Sequence, residues 1–186
     1  MDNRMDRTRK RMYSRVTVWI LVAFLMAACC GCGGTDGDSD PYKEKTDAAV
    51  LAEYLYDNIT FEDEMTKVDQ DLALSLYDLE QDAVTDAVVY MSTGATAEEI
   101  AVFTVNGDEE ALLVASSIEL RIEDQKKGFE NYVPEELTKL DNAIITQLDN
   151  AVVMIVCNST EEAETAISSY IEAYLDTQDD QNTALE

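Results

Sequence analysis

The sequence predicts an α+β domain: an N-terminal helix and then two ββα units, which form a four-stranded antiparallel sheet with helices on one face. Two observations carry this prediction. Segments rich in apolar and β-branched residues occur in two pairs, and each pair is joined by a short turn. Each pair is followed by a segment in which apolar residues recur every three or four positions, as on the buried side of a helix.

The predicted domain begins with a helix over residues 46–58, where apolar residues recur at helical spacing and Thr46 or Asp47 can cap the start. Residues 61–67 favour neither helix nor strand. A short helix is predicted over residues 71–77, because Leu72, Leu76 and Tyr77 fall on one side of it.

The first ββα unit follows. A strand is predicted over residues 83–92, which are rich in β-branched and aromatic residues. A second is predicted over residues 98–105, where apolar side chains alternate between the two faces, and the turn at residues 93–96 joins the two strands. Asn106-Gly107-Asp108 then ends the hairpin and caps the longest predicted helix, residues 109–131. At 1.5 Å per residue this helix is about 35 Å long, enough to cross a four-stranded sheet.

The second ββα unit comes after Pro134, which ends the long helix and opens a short one. Strands over residues 143–148 and 151–157 are joined by Asp149-Asn150, a pair suited to a type I′ turn. Ser159 and Glu162 fit a capping box for the last helix, residues 160–175. The similar patterns of residues 87–122 and 143–174 raise the hypothesis of an internal duplication.

The N-terminal 34 residues predict where the chain resides. Six basic residues precede the uncharged apolar run Val16–Ala28, and small residues end that run just before Cys29. A basic segment, an apolar core and a small-residue cleavage site are typical of a secretory signal peptide, predicted here over residues 1–28. The alternative is an uncleaved signal anchor, although a membrane-spanning helix needs about 20 apolar residues and this run has only 13.

The cysteines favour lipidation. Three of the four, Cys29, Cys30 and Cys32, crowd the predicted cleavage site, where they can neither staple a fold nor complete a tetrahedral zinc site. The junction resembles the lipobox of bacterial lipoproteins, in which small residues precede the cysteine that becomes the lipidated N-terminus. Cys29 is the preferred site because two alanines come directly before it, and Cys30 and Cys32 remain alternatives.

Residues 29–45 then form a predicted flexible acidic tether, residues 46–176 a single α+β domain, and residues 177–186 a disordered acidic tail. Without residues 1–28 the chain keeps seven basic and 37 acidic side chains, a net charge of −30. Such a surface repels nucleic acid, so we predict no nucleic-acid partner. Asp36, Asp38 and Asp40 match the opening of a calcium loop, but Pro41 occupies its glycine position, and neither a metal nor a cofactor is predicted.

The chain contains no histidine, which removes the commonest general base and metal ligand. We find no catalytic motif. Arg121, the one arginine after residue 15, lies at the edge of the long helix's apolar face, one turn from Gln125. It can bind a ligand carboxylate or form an ion pair that orients the helix on the sheet, with Glu98 and Glu99 the nearest carboxylates by topology. The ion pair is the preferred interpretation.

Two stretches resemble a family of small Gram-positive lipoproteins known as a domain of unknown function. One is Tyr90-Met-Ser-Thr-Gly-Ala-Thr-Ala-Glu-Glu-Ile-Ala-Val-Phe103, and the other is Arg121-x3-Gln125-x3-Phe129-x2-Tyr132-x-Pro134. The resemblance covers about residues 48–174. It implies an α+β body and a membrane address, and it carries no assigned activity.

The sequence as a whole predicts a lipid-anchored protein on the extracytoplasmic face of a cell membrane, held there by its N-terminal lipid. We expect a non-catalytic binding or accessory module of the cell envelope, with an envelope protein as partner. The competing class is a small-ligand receptor or a cryptic envelope hydrolase that uses Arg121 and nearby carboxylates.

Labelling with a clickable fatty acid tests the predicted lipidation site. Wild-type chain should take up the label, and Cys29→Ala should lose it, because the modified sulfur is gone. Cys30→Ala is the matched control and should keep most of the signal. Labelling of Cys29→Ala at the wild-type level would contradict the assignment of this cysteine.

Overall fold

The computed structural model describes residues 46–183, with side chains through residue 173. The predicted signal peptide, residues 1–28, the tether, residues 29–45, and the three clustered cysteines lie outside this range. The strands are β1 (Thr66–Lys67), β2 (Asp86–Met91), β3 (Glu99–Thr104), β4 (Ile144–Leu148) and β5 (Ala151–Val156). The helices are α1 (Ala48–Asn58), α2 (Gln70–Leu76), α3 (Asp108–Phe129), α4 (Leu137–Asp141) and α5 (Thr160–Thr183), with 3-10 turns at Gln81–Ala83 and Pro134–Glu136.

The strands form one antiparallel sheet in the order β1-β2-β3-β5-β4. The two predicted hairpins, β2-β3 and β4-β5, are present, and they join through their second strands. The predicted count of four strands is wrong, because β1 adds a fifth strand at one edge, with Thr66 opposite Met91 and Lys67 opposite Tyr90. Two exposed residues are too few to show a period-2 pattern, so this strand depends on the neighbour with which it pairs.

Helices cover both faces of the sheet, which corrects the prediction of helices on one face. On one side Ala101 and Phe103 of β3 pack in a cluster with Val114 and Ile118 of α3, and α2 and α4 join this cluster. On the other side the alternate β3 residues, such as Ile100, pack against α1 and α5. Every residue of β3 and β5 is consequently buried.

The hypothesis of an internal duplication does not fit this arrangement. The hairpins β2-β3 and β4-β5 are arranged about the antiparallel β3-β5 pair as a two-fold axis perpendicular to the sheet would place them. Such an axis would put both following helices on the same face. Instead α3 packs on one face and α5 on the other.

The helix ends follow from local capping. The side chain of Asp47 accepts hydrogen bonds from the backbone amides of Ala49 and Val50 at the start of α1. Asp69 caps α2 in the same way through Leu72. At the other end of the domain α5 continues to Thr183, past residue 175, where this helix was predicted to end.

The turn between β4 and β5 differs from the predicted type I′ turn. A type I′ turn needs positive φ at both central residues. Asp149 has φ of +49°, whereas Asn150 is not among the described residues with positive φ. The side chain of Asn150 is buried instead, and its Oδ1 accepts a hydrogen bond of 2.7 Å from the backbone amide of Thr46. This hydrogen bond links the β4-β5 turn to Thr46, which directly precedes Asp47, the N-cap residue of α1.

We expect Asn150→Ala to lower the free energy of unfolding by about 1–3 kcal/mol, because the buried amide of Thr46 loses its acceptor. Urea unfolding followed by circular dichroism measures this. Asn142→Ala, which removes a similar but exposed amide bonded to Thr138, should change stability by less than about 0.5 kcal/mol. Equal effects of the two substitutions would show that the Asn150 contact has no special role.

Candidate functional site

Two adjacent glutamates, Glu98 and Glu99, are almost fully buried, each with about 1% of its surface exposed. They stand where the chain enters the central strand β3. Consecutive residues of an extended segment point to opposite sides, so the two carboxylates lie in separate surroundings. A buried carboxylate is costly unless it is hydrogen-bonded and paired with a cation. Each glutamate therefore organises its own set of donors.

The Glu99 cluster consists of Glu99, Tyr77, Arg121 and Gln125. The Tyr77 hydroxyl donates to Oε1 of Glu99 at 2.6 Å, and Nη2 of Arg121 lies 3.0 Å from Oε2. Nε2 of Gln125 donates to the same Oε2. Arg121 and Gln125 are one turn apart on α3, so their side chains approach the carboxylate from one face of that helix.

Tyr77 is a member of this cluster that sequence reasoning missed. Its ring is buried edge-to-face against Phe103, with the centroids 4.8 Å apart, and the Arg121 guanidinium lies 5.9 Å from the ring centroid. Burial, and then the negative charge of Glu99, raise the pKa of Tyr77 well above its ordinary value. Tyr77 therefore keeps its proton and serves as a donor. The sequence did offer one indication of this role: a tyrosine on the apolar side of a short helix buries its ring, and its hydroxyl then needs a hydrogen-bond partner.

The Glu99 cluster is arranged as an internal lock between α3 and the sheet. Both carboxylate oxygens accept hydrogen bonds from within the domain, and the Arg121 side chain is only 16% exposed. One donor is left over, since Nε of Arg121 is buried without a hydrogen-bond partner among the described residues. Binding of a ligand carboxylate would require Arg121 to release Glu99, which would leave a buried charge without its cation.

The Glu98 cluster consists of Glu98, Glu62, Glu136 and Lys139. Glu98 accepts hydrogen bonds from the backbone amides of Glu62 and Asp63, at 3.0–3.1 Å, and from the hydroxyl of Thr96 at 3.0 Å. These bonds fix the segment between α1 and β1 to the β2-β3 turn. The carboxylate thus accepts the hydrogen bonds that these backbone amides would otherwise donate within a helix or a strand.

Lys139 supplies the positive charge of the Glu98 cluster. Its Nζ lies 2.6 Å from Glu62, 3.2 Å from Glu136 and 3.5 Å from Glu98. Burial acts to lower the pKa of Lys139, but the hydrogen bonds and charges of the three carboxylates outweigh it and raise that pKa above its ordinary value. Lys139 is therefore charged and held by acids on three sides. Glu136 also accepts a 2.8 Å bond from the amide of Ala97.

A hollow of about 260 Å³ adjoins the Glu98 cluster. Its lining includes Glu62, Glu136, Lys139 and Cys157. Burial raises the pKa of the Cys157 thiol to about 11, and this thiol donates to the carbonyl of Ser159. The thiolate that would act as a nucleophile is thus disfavoured at neutral pH. A second, shallower hollow of about 590 Å³ lies between α1 and α5 and is lined by Tyr54 and by hydroxyl and carboxylate side chains.

The structure brings three of the four sequence-predicted residues together. Arg121 and Gln125 meet Glu99, whereas Glu98 is bonded to Lys139 and to the backbone at residues 62–63. Sequence reasoning missed the Lys139 site because its acids are Glu62, Glu98 and Glu136. These come from three segments that become neighbours only in the folded chain.

The described residues hold neither a metal-binding cluster nor a membrane-spanning helix. No group of three or more histidine, cysteine or acidic side chains there is arranged to hold a metal ion. None of the helices within that part of the chain is both long and apolar enough to cross a membrane.

Fold and site together define a small α+β domain whose antiparallel sheet is covered on both faces and whose buried carboxylates are locked by internal cations. Residues 57–157 match the family described as Domain of unknown function (DUF4358), and the chain belongs to this family. The matched range contains both clusters, from Glu62 to Lys139. No curated protein and no solved structure matches the chain.

We expect Arg121→Met to lower the free energy of unfolding by about 3 kcal/mol, because Glu99 then remains buried without a cation. Chemical denaturation measures this loss. Lys127→Met is the matched control on the same helix. Its partner Asp124 and Lys127 itself are more than 70% exposed, so the loss should be below about 0.5 kcal/mol. A small effect of Arg121→Met would mean that the ion pair does not hold α3 in place.

Proposed function

We propose that the chain is a lipid-anchored protein of the extracytoplasmic face of a cell membrane, and that its domain is a non-catalytic binding or accessory module of the cell envelope. The anchor is supported by the basic segment, the apolar run and Cys29. Family membership is compatible with this proposal but assigns no activity to the domain.

One observation carries the non-catalytic part of the proposal: the two best-buried carboxylates of the domain are bonded to internal donors. Arg121 is paired with Glu99, and Lys139 with Glu98, Glu62 and Glu136. A catalytic or carboxylate-binding site needs polar groups that converge on an open cleft and await a ligand. In the two clusters these groups converge on each other, which favours a rigid scaffold that acts through its outer surface.

The hollow beside Lys139 favours a second candidate, a small-ligand receptor. Its volume of about 260 Å³ suits a very small molecule, and it presents both a cation and carboxylates. A panel of small acids and amines would distinguish the two candidates by thermal melting. A rise in Tm that disappears in Lys139→Met or Arg121→Met, while Lys127→Met retains it, would favour the receptor.

In-cell crosslinking of the tagged full-length chain tests the accessory role. We expect one envelope protein to co-purify with it at near-equal abundance, because an accessory module forms a defined complex. Intact cells are treated with a lysine-reactive crosslinker, the tagged chain is purified from their membranes, and mass spectrometry quantifies the captured proteins. Cys29→Ala is the control for anchoring and should lose both membrane attachment and the partner.

Two results would contradict the proposed function. Intact chain at the membrane with no enriched protein would contradict the accessory role. Catalytic turnover of an envelope substrate by the purified chain would contradict the non-catalytic assignment.

A further inference from the structure

The outward face of α3 carries an apolar strip on an otherwise acidic helix. Leu112, Leu113 and Leu120 are 70%, 51% and 67% exposed. Leu113 and Leu120 are seven residues apart and so lie on the same side of the helix, with Ser116 between them. Single exposed leucines are ordinary, but these three lie within three successive turns on the outward side of one helix, with the small side chain of Ser116 on the turn between them.

We propose that this strip docks a basic amphipathic helix of a partner protein. The proposal rests on the accessory function proposed above and names the surface and the chemistry of the partner. Leu113, Ser116, Ser117 and Leu120 follow the spacing i, i+3, i+4, i+7. Four residues at this spacing form the hole into which a knob side chain of a neighbouring helix inserts. Here Leu113 and Leu120 form the walls and Ser116 the exposed floor, while Ser117 is already buried within the domain.

The floor of this hole is less polar than its serines suggest. The hydroxyl of Ser116 donates to the backbone carbonyl of Leu112 at 2.9 Å, so its donor is satisfied within the helix. Ser117 is buried beneath the surface. A large apolar side chain can enter between Leu113 and Leu120 without stripping this hydroxyl of its bond, which lowers the desolvation cost of docking.

The charges around the strip select the partner. The strip is flanked by four acidic residues, Glu109, Glu119, Glu123 and Asp124. Lys127 is paired with Asp124, and Lys126, whose side chain is 23% exposed, is paired with Glu123 and Asp141. Lysine or arginine on the flanks of a docked helix would meet these acids. A second copy of this chain would bring acidic rims against each other, in a molecule that already carries a net charge of −26. Electrostatics therefore favour a basic partner over self-association.

Site-specific photocrosslinking tests the proposal in cells that produce the full-length chain. A photoreactive amino acid replaces Ser116 in the strip, and in a control chain it replaces Ser168, which is exposed on α5 over the opposite face of the sheet. We expect a crosslinked product from position 116 and none from position 168. Sequencing of the crosslinked peptide should show apolar residues three and four apart, flanked by Lys or Arg.

Substitutions within the strip make the test quantitative. Leu113→Ser with Leu120→Ser should lower the yield from position 116 at least tenfold, because the walls of the hole are removed. Both side chains are mostly exposed, so the domain should keep its fold and Tm. Val50→Ser, at an exposed apolar residue of α1, is the matched control and should leave the yield unchanged.

Four outcomes would overturn the inference. A product of twice the chain's mass would identify a second copy as the occupant, and a captured peptide without basic residues would contradict the proposed chemistry. Capture of a partner by lysine-reactive crosslinking, without any product from position 116, would refute this surface and leave the accessory function standing. Failure of both crosslinking experiments would contradict the surface and the accessory function together.

Discussion

The domain depends on the burial of two neighbouring carboxylates at the entrance to its central strand. Removing an ion from water costs several kcal/mol, so Glu98 and Glu99 can be buried only if the rest of the chain supplies donors and cations. Glu99 obtains them from α2 and α3, and thereby fixes the long helix to one face of the sheet. Glu98 obtains them from the segment before β1 and from Lys139, and fixes the irregular part of the chain.

The two carboxylates therefore have different structural roles although they are neighbours in sequence. The contact between α3 and the sheet is otherwise apolar and includes Ala111, Val114 and Ile118. Apolar packing is not directional, so the hydrogen bonds of the Glu99 cluster help to fix the rotation of α3 about its own axis. The Glu98 cluster instead joins three segments of the chain, residues 62–63, residues 96–98 and residues 136–139. In both clusters the buried carboxylates are bonded to groups of the same domain.

Local patterns predicted most of the helices and strands, because caps such as Asp47 and turn residues act within a few positions. The pairing of Arg121 with Glu99 was among the predicted alternatives, since only one arginine and few carboxylates could meet on that helix face. The two-sided sheet was missed, although the continuous apolar runs of β3 and β5 indicate burial on both faces. β1 and the Lys139 site could not be predicted, because β1 pairs with the distant β2, and two of the three acids around Lys139, Glu62 and Glu98, are far from it in the chain.

The order of strands has a consequence for how the chain folds. Strands β3 and β5 form the centre of the sheet, yet α3 and α4 lie between them in sequence. Both hairpins can form early from nearby residues, whereas their joining requires a long loop to close first. Until then each hairpin exposes an apolar strand edge to its surroundings. The chain would be most prone to aggregate in this interval, and its strong negative charge would oppose that association.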